Sequence, residues 1–305
     1  MGKVKQLLKK AKHAYWFYQY CRSYRYQIGA KLVSDKREIQ RKFRKKLHRD
    51  VELVHPVMFN DKLQYLKLYW YDERATICAD KYMAREYVKR VCGDEILNEM
   101  YGVYDDVNEI DIQKLPDSFV LKATHASGYN ILCKDKSKID WDTAFREMKL
   151  WLKTNFYHRT REWVYKDIKP RIICERYLSD IANDTIMDYK IYCFNGEPRM
   201  IHVDMDRFGK HKKNYYDLDW NYRDVSVTYP NDPGKKIDKP ERLDEMLAIA
   251  KRLSAGFPHV RIDLYYLSDE QKILFGEMTF FNGNGYTVFT PPAFEAEMGS
   301  YLVLP

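Results

Sequence analysis

Apolar positions recur along this chain with two different periods, and the change from one to the other marks its elements. At helical spacing, residues 141–153 place Trp141, Ala144, Phe145, Met148 and Leu152 on one face, and 240–253 do the same with Leu243, Met246, Leu247, Ala250 and Leu253. Pro240 suits the first turn of the second helix, and Gly256 lies just past its end. A further helix is expected to open at Asp80, whose carboxylate can cap the N–H groups ahead of Met83 and Ala84. Short β-rich runs at 118–123, 130–133, 171–177, 189–194, 199–203, 260–267 and 272–281 predict strands. Residues 1–47 are rich in Lys, Arg and Tyr, with Val4, Leu7, Leu8, Ala11 and Tyr15 at helical spacing, and predict one or two basic amphipathic helices. Their apolar side either packs on the body of the protein or docks to an anionic membrane or an acidic partner. The whole reads as an α+β protein with mostly antiparallel sheets, in four stretches: 1–47, 48–117, 118–178 and 179–305.

Composition narrows the classes. With 305 residues, 45% of them hydrophobic, the chain can bury a sizeable core. A formal net charge of +8 calls for an anionic partner such as a nucleotide, an acidic glycan, nucleic acid or a membrane surface. The basic residues match no RNA- or DNA-binding motif, so no specific nucleic acid is expected. The six cysteines form no CxxC pair, which argues against a zinc site or redox dithiol and for free thiols in a reducing compartment. No run reaches the roughly 18 apolar residues of a membrane span. Lys9, Lys10, Lys12 and His13 interrupt any secretory h-region, and Gln6 breaks the myristoylation pattern. The expected location is the cytoplasm, with peripheral attachment to the inner face of the membrane left open for residues 1–47.

Candidate chemistry concentrates in 260–281, which reads as a hairpin. Alternation puts Val260, Ile262, Leu264 and Tyr266 on one face and Arg261, Asp263 and Tyr265 on the other. If the connecting loop holds three or five residues, Asp263 lies across from Glu277 and Arg261 across from Thr279; a four-residue loop breaks that pairing. Opposed carboxylates, roughly 5 Å apart at Cβ, repel. A partly buried pair therefore calls for a cation, and oxygen ligands suit magnesium. On an exposed hairpin the same acids would simply face water. The run Asn282-Gly-Asn-Gly285 that follows lets backbone approach a ligand closely.

Two further segments matter. Residues 118–130 read as a strand with Lys122 near its end, a small-residue loop containing His125, Ser127 and Gly128, and a second strand. Backbone N–H groups of such a loop can cradle phosphate oxygens while an ammonium neutralises them. The segment matches neither the Walker pattern nor a GxGxxG fingerprint, and an ordinary hairpin with an exposed lysine reads the same way. Residues 171–178 form a buried strand in which Glu175 either accepts from a ribose or adenine amine or pairs with a surface arginine.

Taken in order, these pieces resemble the ATP-grasp superfamily and, more narrowly, its TupA-like branch (teichuronopeptide-biosynthesis-like) of polysaccharide clusters, over residues 48–300. Asp80-Lys81 resembles the early lysine step, 119–130 the lysine strand and phosphate loop, 171–178 the hinge strand, and Asp188-Tyr-Lys190 the opening of the large lobe. Phe194-Asn-Gly-Glu-Pro198, 202–207 and 214–220 are similar to the narrower branch. Ala126, Tyr129 and Thr279 depart from the usual pattern, Thr279 standing where many relatives carry Asn.

The resemblance implies an ATP-grasp fold, with a small lobe at 118–178 and a large lobe at 179–305 gripping Mg·ATP. Lys81, Lys122, His125, Ser127, Gly128 and Glu175 would contact the nucleotide, and Asp263 and Glu277 the magnesium. Lys190, Arg207 and Arg261 would steady the acceptor carboxylate and an acyl phosphate, since cationic side chains match such oxygens. The implied reaction activates a carboxylate, in this setting a sugar acid or glycan, for capture by an amino acid or small amine. Competing readings are a glycosyltransferase, for which Asp204-Met-Asp206 supplies the Asp-x-Asp letters, and a basic nucleic-acid or membrane adaptor.

Overall fold

The alternating runs build two antiparallel sheets. A computed structural model of the chain describes residues 12–179, 186–205 and 211–305. Val4, Leu7, Leu8, Ala11, Asp206 and Arg207 lie outside the described residues. The basic N-terminal run forms two helices, α1 (Lys12–Leu32) and α2 (Asp35–Leu47). Their inner side packs on the body, with Ile39 and Phe43 fully buried. Arg161 ties down the end of α1, donating to the Gly29, Ala30 and Val33 carbonyls and to Asp35 at 2.9 Å. Phe17, Tyr24, Ile28 and Leu32 on the other side of α1 stay exposed.

Three helices follow, α3 (Phe59–Tyr69), α4 (Glu73–Ala79) and α5 (Met83–Cys92). As expected, the Asp80 carboxylate starts α5, accepting from the Tyr82 and Met83 N–H groups at 2.9 and 3.3 Å. The sequence hides α3 because it is buried nearly all round, polar residues included. Asn60 bonds Glu295, Asp61 takes a two-pronged bond from Arg49, and Lys67 donates to Asn284. No apolar stripe remains to be read.

The smaller sheet consists of β1 (Met100–Tyr104), β2 (Phe119–Ala123), β3 (Asn130–Cys133) and β4 (Ile172–Arg176) in the order β1-β4-β2-β3. An inner strand must be apolar on both faces, which explains the unbroken Ile172-Ile173-Cys174. Helix α6 (Trp141–Leu152) starts on an Asp140 cap and lays Met148 and Trp151 against Phe119 and Leu121. A short helix, α7 (Phe156–Thr160), leads back towards β4.

The larger sheet runs β11-β10-β5-β6-β7-β8, with β5 (Met187–Phe194), β6 (Glu197–Met205), β7 (Lys212–Tyr216), β8 (Tyr222–Arg223), β10 (His259–Leu267) and β11 (Lys272–Thr279). Two short strands, β9 (Ser226–Val227) and β12 (Phe289–Thr290), pair separately. Helix α8 (Leu243–Ser254) covers one face of the large sheet with Met246, Ile249, Ala250 and Leu253, and α9 (Ala293–Tyr301) packs on α3. Pro240 sits in the turn before α8, its carbonyl accepting from the Leu243 N–H at 3.1 Å, so the helix starts later than the proline suggested. Among the described residues no helix is long and apolar enough to cross a membrane.

The hairpin resolves its own parity problem. Leu267 pairs with Lys272, so the loop holds four residues, Ser268 to Gln271, the length that should have broken the opposition of the acids. Asp263 nevertheless faces Glu277, and Arg261 faces Thr279, because a β-bulge between Asp263 and Leu264 leaves Gly276 as an extra residue on β11. A Cβ at 276 would stand 3.0 Å from the Asp263 carbonyl oxygen and 3.1 Å from the Tyr265 ring, so glycine is what the bulge admits. Gly276→Val should therefore cost about 1–3 kcal/mol through overpacking, read as a lower melting temperature by circular dichroism. A melting point unchanged within a degree would show that the bulge accepts a side chain.

The hairpin also touches the smaller sheet. Arg176 at the end of β4 pairs with Glu270 in the hairpin loop, and beside the sheet, in the segment between α5 and β1, the Ile96 carbonyl accepts from the Phe275 N–H at 2.7 Å.

Candidate active site

Register places one residue from each of five strands in a single row across the large sheet: Glu277, Asp263, Lys190, His202 and Tyr215 on β11, β10, β5, β6 and β7. Neighbours in such a row stand close enough to interact directly. Lys190 is buried among three aspartates, contacting Asp188, Asp263 at 2.6 Å and Asp204 at 3.7 Å. Burial alone would push its ammonium down, but the aspartates outweigh that and its pKa is raised. Asp204 also meets His211 at 2.8 Å and Lys213 at 3.6 Å. Burial opposes its charge, yet the ammonium groups of Lys213 and Lys190 beside it hold its carboxyl well below the ordinary range. His202 itself is pushed down to about 3 by burial, so it is neutral.

Arg261 organises the next row. Its guanidinium grips Asp263 with two bonds of 2.6 and 2.7 Å and reaches Glu277 at 3.3 Å, the Thr279 hydroxyl at 3.1 Å and the Asn282 side-chain oxygen at 3.0 Å. Burial works against its charge, but Asp263 and Glu277 raise its pKa well above the usual arginine value. Behind it runs a relay of neutral groups. Asn282 contacts His259 Nε2 at 2.6 Å, and His259 Nδ1 contacts the Cys193 carbonyl at 2.8 Å. Burial holds His259 down to about 3, so its one proton goes to that carbonyl and its Nε2 accepts from the Asn282 amide. This leaves the amide oxygen of Asn282 to face Arg261. The sequence reading took 282–285 only as pliable backbone and missed the role of Asn282; its place three residues past Thr279, beside the acids, was the available signal.

The cation that two opposed carboxylates require is therefore supplied by the chain itself. As it stands, Glu277 fits a magnesium ligand, since its side chain is 31% exposed and opens on a cavity beside Thr279. Asp263 is 2% exposed, with both oxygens taken by Arg261 and Lys190. It fits a metal only once Arg261 turns away.

The remaining predicted residues fall into separate groups. Lys81 donates to the Ala126 carbonyl at 2.6 Å and lies 3.6 Å from Glu277, which ties the 124–130 loop to the end of β11. Lys122 pairs with Glu175 at 2.7 Å, and Arg85 joins them at 3.2 Å. Ser127 is exposed and lines the same cavity as Glu277, while Gly128 has a positive φ of 75° with open space around it. His125 turns inward, its ring bonding the Trp151 carbonyl at 2.9 Å, away from the loop's open side. Arg207 lies outside the described residues.

Two cavities share Arg261. One, of about 510 Å³, carries Ser127, Glu277 and Thr279; the other, of about 250 Å³, carries Tyr192, Lys213, Tyr215 and Asn282.

Lys122 on a small antiparallel sheet and Lys81 in the turn before α5, opposite acids and an arginine on a larger sheet, are the layout of the ATP-grasp class. The sequence matches the TupA-like ATP-grasp family over residues 61–303, and the chain belongs to that family. Similar solved structures include D-alanine–D-alanine ligase from Bacillus anthracis complexed with ATP, at 15% identity, covering 67% of this chain and 55% of that one with a TM-score of 0.38. The ATP-grasp ligase PsnB with minimal precursor gives 10% identity, 72% and 59% coverage and a TM-score of 0.38. D-Ala-D-Ala ligase from Helicobacter pylori gives 13%, 82% and 68%, and 0.41. The chain thus spans little more than half the length of the first two. No curated protein matches the sequence.

Proposed function

We propose that the chain is an ATP-dependent carboxylate–amine ligase that joins a sugar acid to an amino acid or small amine in cell-surface polysaccharide synthesis. The observation that carries this reading is Arg261, fixed by Asp263 and Asn282 between two cavities, the arrangement that a reaction between two bound substrates needs. Lys81 and Lys122, with the 124–130 loop, would hold the triphosphate, and Glu175 the adenosine once Lys122 turns to phosphate. Glu277 would hold magnesium, with Asp263 behind it, and the ion supplies charge neutralisation at the phosphates.

The substrate carboxylate attacks the γ-phosphorus, ADP leaves, and an acyl phosphate results. The guanidinium of Arg261, keeping its two bonds to Asp263, would turn the donor now shared by Glu277 and Thr279 to the carboxylate and then to the acyl phosphate oxygens. An amine from the neighbouring cavity attacks the acyl carbon, phosphate leaves, and the amine loses a proton to give the amide. Lys190, locked among Asp188, Asp204 and Asp263, holds those acids in place instead of reaching a substrate. Asp204 is committed to His211, Lys213 and Lys190, which leaves it poorly suited to the Asp-x-Asp metal role of a glycosyltransferase.

Purified protein with Mg·ATP, hexuronic acids and amino acids should form ADP only when both an acid and an amine are present, with an amide of matching mass. Transfer from a sugar nucleotide without ATP turnover would replace this reading by the glycosyltransferase.

A further inference from the structure

The cavity on the Glu277 side of Arg261 is basic, and much of its charge comes from the N-terminal helices. Arg22 on α1, Lys42 and Lys46 on α2 and Arg159 on α7 line it together with Arg261. Arg22, Lys42 and Lys46 precede the stretch that matches the family. The lining carboxylates do not balance them. Glu277 is already shared by Arg261 and Lys81. Glu162 is buried and accepts from Asn284 at 2.6 Å, and burial pushes its carboxyl up to about 7, so it is only partly charged at neutral pH.

Among the described residues Arg22, Lys46 and Arg159 form no ion pair with a carboxylate, although Arg159 feels the charge of the buried Glu162 at longer range. Each lies over a ring instead: Arg22 over Tyr26 at 5.9 Å, Lys46 over Tyr286 at 4.8 Å and Arg159 over Phe156 at 4.6 Å. Lys42 meets Glu38 at 3.1 Å and donates to the Arg159 carbonyl at 2.5 Å, which pins α2 to α7 and keeps the cations together. Partial burial and the nearby charges of Lys42 and Arg159 push the Lys46 ammonium down. Like charges held side by side are relieved by an anion between them. Neither Lys81 nor Lys122 lines this cavity, but Ser127 of the 124–130 loop and Glu277 do, so it adjoins the site proposed for the triphosphate.

We infer that this cavity selects a carboxylate substrate bearing a second anionic group, a phosphate or a further carboxylate, which Arg22, Lys46 and Arg159 bind while Arg261 receives the reacting carboxylate. The inference rests on the ligase reading of Arg261. The second anion has two possible sources: a sugar acid linked to phosphate, or the next acidic unit of an oligomer. Both present the same oxygens to the same cations.

Calorimetric titration of the full chain with a free hexuronic acid, a hexuronic acid 1-phosphate and a hexuronic acid trimer separates these. One of the two polyanionic probes should bind at least about tenfold tighter than the free acid, and which one identifies the source. In Lys46→Gln/Arg159→Gln that advantage should shrink to about twofold or less, and Arg159→Lys should keep most of it, which excludes a general loss of folding. Equal binding of all three probes by the wild-type chain overturns the inference. So does a double variant whose Mg·ATP affinity falls as far as its probe affinity, since the cations would then serve the nucleotide. Discrimination among the probes without any ADP formation would sink the ligase reading while leaving the anion selectivity standing.

Discussion

Glu277→Ala should abolish acid- and amine-dependent ADP formation, with a loss of about 10²–10³-fold or more, the scale seen when one electrostatic group that stabilises a transition state is removed. The fold should hardly notice. Glu277 is partly exposed, and without it Arg261 keeps both bonds to Asp263 and its bond to Asn282. A melting temperature within a few degrees of wild type, together with lost turnover, separates chemistry from stability. If the variant retains half the wild-type rate, the acids of this hairpin do not serve phosphoryl transfer, and the assignment of the site falls with them.

Arg261→Leu should fail differently. It removes the cation from between Asp263 and Glu277 and leaves the carboxylate of Asp263 buried, with Lys190 as its remaining partner. Breaking a buried ion pair from one side costs about 3–5 kcal/mol. At a few degrees per kcal/mol, this predicts a melting temperature lower by roughly 10 °C, together with loss of turnover. Adding Asp263→Asn should recover part of the stability, since the stranded charge is then gone, but none of the activity. A single variant as stable as wild type would mean that Asp263 finds water or another partner, and that the arginine is present for substrate alone. Arg261→Lys should keep most of the stability and lose rate, because an ammonium cannot make the two-pronged contact.

Strand alternation and turn residues announced most strands of both sheets, and period 3.6 announced α6 and α8. Helix α3 stayed hidden because Asn60, Asp61, Gln64 and Lys67 face the interior, where Asn60, Lys67 and the Gln64 amide nitrogen donate to residues 284–287 and Asp61 accepts from Arg49. The pairing of Asp263 with Glu277 was legible for an incomplete reason. The loop has the four residues that should have broken the pairing, and the bulge at Gly276 that restores the register has no signature beyond a lone glycine in a strand. The charge argument asked for a cation between the acids, but the sequence could not tell that Arg261, two residues away on the same face, would fill that place. His125 shows the converse limit: once a strand ends, alternation no longer says which way a loop side chain turns. Lys190 is a related case: Asp188 stands two residues away on its own strand, but Asp204 and Asp263 come from neighbouring strands whose register only the folded sheet reveals.

The pairing of Arg176 with Glu270 makes the hairpin a lever. It fastens the loop end of β10 and β11 to β4, while Glu277 lies towards the other end of β11. From Lys272 to Glu277 the strand advances about 17 Å at ~3.4 Å per residue. A turn of about 10° around the fastened end carries Glu277 through roughly 3 Å, the kind of motion that small hinge rotations amplify. That distance is enough to make or break its approach to Lys81, now 3.6 Å away, and with it the tie to the 124–130 loop. Such a turn would also pull on the Phe275–Ile96 hydrogen bond, so the two contacts together limit how far this end of β11 moves.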